Sequence, residues 1–116
     1  MENRISDSEY RFMQELWKVE PVKSTALVNI CQDRFGWKKS TTYTVIKNLI
    51  EKGIIENKDT FVQSIVEKDL IIKRESEEFL NRTFNGNIPD MFAAFLKDRK
   101  LTVEELDRIK KIIEEA

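Results

Sequence analysis

Gly36-Trp37-Lys38-Lys39-Ser40-Thr41-Thr42-Tyr43-Thr44-Val45-Ile46-Lys47-Asn48-Leu49-Ile50-Glu51-Lys52-Gly53 is the stretch whose side chains sort most cleanly by helical angle. At about 100° per residue, Thr42, Val45, Ile46 and Leu49 fall on one stripe, while Ser40, Tyr43, Thr44 and Lys47 project the other way. The apolar stripe is built to lie on a core. Hydroxyls set beside ammonium groups suit base edges, thymine methyls and phosphates, so the outer face reads as a recognition surface for duplex DNA. Gly53 is the natural residue just past the helix end, where a left-handed backbone costs glycine least.

Working upstream, Ser6-Asp7-Ser8-Glu9 forms a capping box, with Ile5 and Tyr10 placed as a hydrophobic staple. The spacing predicts a first helix to about Trp17, with Tyr10, Met13, Leu16 and Trp17 inward, ended by Glu20-Pro21. Val22-Lys23 then forms a short extended link. Ser24 or Thr25 is expected to cap a second helix that turns Leu27, Ile30, Cys31 and Phe35 inward, stops at Gly36 and is followed by Trp37 as the anchor of the turn. Two helices joined by so tight a turn form a helix-turn-helix unit.

Downstream, Ile54-Ile55-Glu56 and Phe61-Val62-Gln63-Ser64-Ile65-Val66 are strand-like around the turn-prone Asn57-Lys58-Asp59-Thr60. Three helices followed by a hairpin give a winged helix. Lys68 to Phe84 is helical again and is broken by Asn85-Gly86-Asn87. Pro89 suits the first turn of a short helix carrying Met91, Phe92, Phe95 and Leu96. Thr102-Val103-Glu104-Glu105 is a second capping box, and Val103, Leu106, Ile109, Ile112 and Ile113 share one stripe. This is more apolar surface than a winged helix needs, so the C-terminal helices are expected to bury themselves against a second copy. The expected fold is therefore mainly α with a small β-hairpin, divided into a winged helix-turn-helix DNA-binding domain at 1–66 and a helical dimerisation arm at 67–116. Dimerisation is assigned to Leu70, Phe79, Leu80, Phe84, Phe92, Phe95, Leu106, Ile109 and Ile113.

Composition narrows the function classes. A chain of 116 residues can form one compact domain, or a small domain with an association element. Twenty Lys and Arg face 21 Asp and Glu, a formal net charge of −1, so any affinity for a polyanion depends on where the charges lie. Between Arg34 and Lys52 five cations (Arg34, Lys38, Lys39, Lys47, Lys52) face the single anion Glu51, a local +4. The chain has no histidine and one cysteine, which excludes an intrachain disulfide, a zinc finger, a Cys-His nucleophile and an imidazole base. No metal, cofactor or catalytic residue is expected. Cys31, in register with Leu27 and Ile30, reads as a buried apolar thiol. The adjacent pairs Glu77-Glu78, Glu104-Glu105 and Glu114-Glu115 diverge by about 100° on helices and cannot converge on one substrate. No apolar run approaches the roughly 18 residues of a membrane span, and Met1-Glu2-Asn3-Arg4 leads into a polar, periodic segment, so a cytoplasmic protein without membrane insertion is expected.

The candidate DNA-binding residues are Lys38, Lys39, Ser40, Thr41, Tyr43, Thr44 and Lys47 on the third helix. Lys23 and Thr25 stand near the start of the second helix, where phosphate is favoured, and Lys58 lies in the wing. A plainer account makes Ser40 to Thr44 a helix start that satisfies its own amides. The position after a helix-turn-helix favours the DNA account. The alternative function is a winged-helix protein-interaction module without specific DNA binding, which the slightly acidic total and the short wing permit.

Ile5-Ser6-Asp7-Ser8-Glu9 followed by Met13 and Leu16-Trp17, and then Trp37 to Gly53, resemble the opening and recognition helices of the penicillinase and methicillin-resistance repressors (the BlaI/MecI/CopY type). Phe79-Leu80-Asn81-Arg82, Phe84-Asn85-Gly86, Phe95-Leu96 and Leu101-Thr102-Val103-Glu104-Glu105-Leu106 are similar to the C-terminal pattern of that family. The resemblance implies a homodimeric repressor whose winged helices bind a palindromic operator and whose C-terminal helices interlock. It also implies a pathway in which a membrane sensor protease, responding to β-lactams, leads to cleavage of the repressor. Carried over, the scissile bond falls at Ala94-Phe95, where the family has asparagine before the phenylalanine. The wing tip at Asn57 to Thr60 is shorter than the family's and lacks its glycine and paired basic residues. The cysteine cluster of the copper-responsive branch has no counterpart in the sequence.

Overall fold

The computed structural model describes residues 4–116; Met1-Glu2-Asn3, the start of the stretch from which a cytoplasmic protein is expected above, lies outside the described residues. The element order is α1 (Asp7–Val19), β1 (Val22–Lys23), α2 (Ser24–Phe35), α3 (Lys39–Glu51), β2 (Ile55–Lys58), β3 (Phe61–Ser64), α4 (Lys68–Phe84), α5 (Ile88–Leu96) and α6 (Val103–Glu115). By contact the chain divides into two compact units, Met1–Ile72 and Lys73–Ala116.

In the first unit α1 starts where its capping box dictates. The Glu9 N–H donates to the Ser6 hydroxyl at 3.2 Å and the Ser6 N–H to the Glu9 carboxylate at 2.7 Å, so two otherwise orphaned amides are satisfied. Its buried face is Glu9, Phe12, Met13, Glu15 and Leu16, whereas Tyr10 and Trp17 are half-buried at the margin. The inward direction lies roughly 80° from the stripe of Tyr10, Met13, Leu16 and Trp17 read from the sequence. Two buried carboxylates need cations. Lys52 Nζ sits 2.6 Å from Glu9, while Lys18 Nζ and Arg34 Nε approach Glu15 at 3.3 and 3.5 Å. The Arg34 and Lys52 pairs tie α1 to the C-terminal ends of α2 and α3, while Lys18 pairs with Glu15 within α1.

Neither Ser24 nor Thr25 caps α2. The cap residue is Lys23, with no side-chain cap hydrogen bond, because β1 holds the backbone extended through Lys23 and Ser24 is already helical. Gly36, at φ 70°, closes α2 in the left-handed conformation; its N–H donates to the Gln32 carbonyl at 2.9 Å. Then α3 buries Thr42, Val45, Ile46 and Leu49, the stripe read from the sequence.

The wing is a three-stranded antiparallel sheet in the order β1-β3-β2. Asp59 and Thr60 both take positive φ, 54° and 69°, which suits the two-residue turn that matches the twist of paired strands. Asn57 and Lys58 therefore belong to β2 and not to the loop. At the other end the Glu20 carboxylate accepts from the Ser64 N–H at 2.6 Å and from its hydroxyl at 2.8 Å, joining the end of α1 to β3. The core gathers Phe12, Met13, Leu16, Leu27, Cys31, Leu49, Ile54, Ile55 and Val62 under this sheet and the three helices, and Ile71 of α4 joins it. The fold is a winged helix, mainly α with a small antiparallel sheet.

Cys31 is fully buried, and burial pushes its thiol pKa up; the Thr42 hydroxyl acts in the opposite sense and the Glu15 charge in the same sense. A raised pKa keeps the sulfur protonated and weakly nucleophilic. Thiol-specific reagents at neutral pH are thus expected to label the native chain far more slowly than the denatured chain; equal rates would show that the thiol is reachable.

In the second unit Phe79 and Phe84 of α4, 5.8 Å apart, meet Phe95 of α5 with ring centroids at 6.4 and 6.3 Å. Asn87 caps α5 by accepting from the Asp90 N–H at 2.8 Å, and Thr102 with Glu105 forms the second capping box at α6. Neither α5 nor α6 has a fully buried residue.

Candidate nucleic-acid interface

The inward stripe of α3 fixes the rotation of the helix about its axis, and that rotation decides which side chains face out. Lys38, Lys39, Ser40, Thr41, Thr44 and Lys47 are all exposed. Tyr43 departs from the sequence reading. It is half-buried and packs against the core, since it lies next to Thr42 at the edge of the stripe, and Lys39 Nζ stands 6.0 Å from its ring centroid. The Thr44 hydroxyl donates to the Ser40 carbonyl at 2.9 Å, so its oxygen faces outward chiefly as an acceptor.

The electrostatics are narrower than the sequence count suggests. Of the five cations between Arg34 and Lys52, Arg34 pairs with Glu15 and Lys52 with Glu9, which leaves Lys38, Lys39 and Lys47. Among the described residues no carboxylate lies within ion-pair distance of these three. Their charge is available to an external anion.

Lys23 and Thr25 are exposed at the start of α2, and Lys58 is exposed on β2. The strand register brings Lys23 and Lys58 to either side of Phe61, an arrangement that no spacing in the sequence announces. Phe61 itself was missed. It belongs to an apolar run whose two parities both look inward, yet only Val62 of the pair is buried. Ala94 and Phe95 lie within α5, both exposed, in helical backbone and with the Phe95 ring against Phe79 and Phe84. Among the described residues no cluster of acidic or cysteine side chains could hold a metal ion, and no helix is long and apolar enough to cross a membrane.

Residues 5–115 match the family model described as penicillinase repressor. The chain is 29% identical to the penicillinase repressor of Bacillus licheniformis over 117 aligned positions, covering 97% of this chain and 91% of that protein. It is 26% identical to the methicillin resistance regulatory protein MecI of Staphylococcus aureus, over 94% of this chain and 92% of that one. A penicillinase repressor of Staphylococcus aureus is 25% identical over 94% of this chain and 90% of its own length.

Proposed function

The chain belongs to the penicillinase repressor family, and from that premise we propose that it is a homodimeric transcriptional repressor that binds a palindromic DNA operator through α3. The observation that carries the reading is the outer face of α3, where three lysines without carboxylate partners flank exposed hydroxyls on a winged helix. In this mechanism α3 enters the major groove. Ser40, Thr41 and Thr44 meet base edges or thymine methyls, with half-buried Tyr43 beside them at the edge of the contact. Lys38, Lys39 and Lys47 neutralise phosphates, and Lys23, Thr25 and Lys58 hold the flanking backbone.

Hydroxyls accept or donate to several bases, so each discriminates weakly, and none offers the bidentate contact worth about 1–3 kcal/mol. Specificity then rests on dimer geometry. Two recognition helices on a twofold axis read half-sites about one helical turn, roughly 34 Å, apart. The arm that supplies the twofold is the second unit, whose α6 leaves Val103, Leu106, Ile112 and Ile113 exposed.

The test is selection of duplexes from a random pool, followed by anisotropy titration at several salt concentrations. Enrichment of a palindrome with steep salt dependence is the expected result. Lys47→Ala should weaken binding to all sequences and make the slope of log affinity against log salt shallower by about one unit. An unchanged slope removes Lys47 from the phosphate contacts. Weak and unenriched binding by the unmutated chain would favour the protein-interaction module instead.

A further inference from the structure

Phe61 is paired across β3 with Lys23 of β1 on one side and Lys58 of β2 on the other. Directly opposed residues of antiparallel strands share a face of the sheet, with Cβ atoms about 4.5–5.5 Å apart, so the three side chains form one row across all three strands. The neighbouring row, Val22, Val62 and Asn57, projects to the other face, where Val62 is fully buried. The row through Phe61 therefore faces outward. Phe61 is 42% exposed, and Lys23 Nζ stands 5.8 Å from its ring centroid. Among the described residues neither Lys23 nor Lys58 has a carboxylate partner. Two acids stand nearby. Glu56 lies in the next row on the same face, accepting from the Gln63 amide at 2.7 Å, and Asp59 lies in the turn.

A ring left in water between two lysines has a specific complement: a partner that is anionic at two points and apolar between them. One strand of duplex DNA presents that pattern, since deoxyribose separates successive phosphates. The geometry points to the Lys23–Phe61–Lys58 row as a seat for the sugar-phosphate backbone, with the lysines on phosphates and the Phe61 ring covering the sugar between them. The two-residue turn gives the wing no tip to extend into a groove, and the outward face of the sheet takes over that contact. This seat rests on the DNA-binding reading and adds an uncharged contact residue to it.

The test uses the full chain and a labelled mixed-sequence duplex, because backbone contacts do not depend on sequence. Phe61→Thr keeps a strand-forming residue and removes the ring. Its affinity should fall about fivefold at every salt concentration, the effect of uncovering on the order of 40 Å² of apolar surface. The salt slope should not change, since no counterion-releasing charge is lost, whereas Lys58→Gln should make it shallower by about one unit. Both variants should melt close to the unmutated chain, and Phe61→Tyr should restore affinity. Phe61→Trp supplies an independent readout: its indole emission should change on duplex binding beyond the change the unmutated chain shows. Phe61→Thr affinity within about twofold of the unmutated chain, or a Phe61→Trp signal that ignores DNA, overturns the seat. Failure to enrich a palindrome strikes the operator reading and leaves the seat standing. Absence of any duplex binding by the unmutated chain overturns both.

Discussion

Phe12→Ala is expected to cost about 3–5 kcal/mol of stability, the usual price of deleting a fully buried aromatic side chain. Phe12 is fully buried, and it lies on α1 among Met13, Leu16 and Leu27, the side chains under α3 and the sheet. A small domain has only about 5–15 kcal/mol in total, so the variant should unfold at a much lower denaturant concentration with an unchanged m value. Tyr10→Ala is the informative comparison. Tyr10 is half-buried and meets Trp17 edge-on at 6.2 Å, so its loss opens no comparable cavity and should cost less. The reverse ranking in chemical denaturation would mean that α1 is rotated toward the stripe that Tyr10 and Trp17 define. DNA binding should follow the same order, because α3 is held in place by the core that Phe12 fills.

That comparison also shows what the sequence made legible. Helix starts were readable where a side chain closes on its own backbone within a few residues, as at Ser6–Glu9 and Thr102–Glu105. The α3 stripe was readable because its apolar and polar residues do not mix. The α1 direction was not, since Tyr10 and Trp17 are apolar enough to suggest one stripe while Glu9 and Glu15 hide the other. Their burial depends on Lys52, Lys18 and Arg34, and the Glu9–Lys52 pair spans 43 residues. No local pattern predicts it. The same pairing thinned the basic patch that sequence counting had assigned to α3.

The candidate site divides the same way. Ser40, Thr41, Thr44 and Lys47 follow from helical angle alone, whereas Tyr43 sits at the edge of the buried stripe and its half-burial depends on what packs there. Phe61 illustrates a different limit. In Phe61-Val62-Gln63-Ser64-Ile65-Val66 both parities carry apolar residues, so alternation does not say which face is inside. Pairing with β1 settles it, and β1 has only two residues, too short to announce itself as a strand. Lys23 shows the consequence: strand pairing moved the start of α2 away from a side-chain cap at Ser24 or Thr25.

If the chain dimerises through α6 as proposed, Ile109→Asp is expected to give monomers and to weaken operator binding sharply. The argument begins with α6 alone. It has 13 residues and none is fully buried, with Val103 at 71% and Ile113 at 64% exposure. A helix of this length is marginal in water without an apolar face to pack. In the proposed dimer a second copy of the same stripe supplies that face. Ile109 is half-buried within its own chain, so a second copy covers only about half of it. On a twofold axis each substitution counts twice, and the lost burial costs about 1.5–3 kcal/mol per dimer, on the order of 10–10² in the dissociation constant, before the cost of burying two carboxylates. The change in helix propensity is smaller, below about 0.7 kcal/mol. A monomer engages one half-site and forfeits the gain in effective concentration, which lowers operator affinity by about 10²–10⁴. Sedimentation should show one chain per particle at concentrations where the unmutated protein shows two, while Lys111→Glu, at an exposed position of the same helix, should remain dimeric. An Ile109→Asp variant that sediments as a dimer would place the interface elsewhere, and the α6 stripe would then need a different partner.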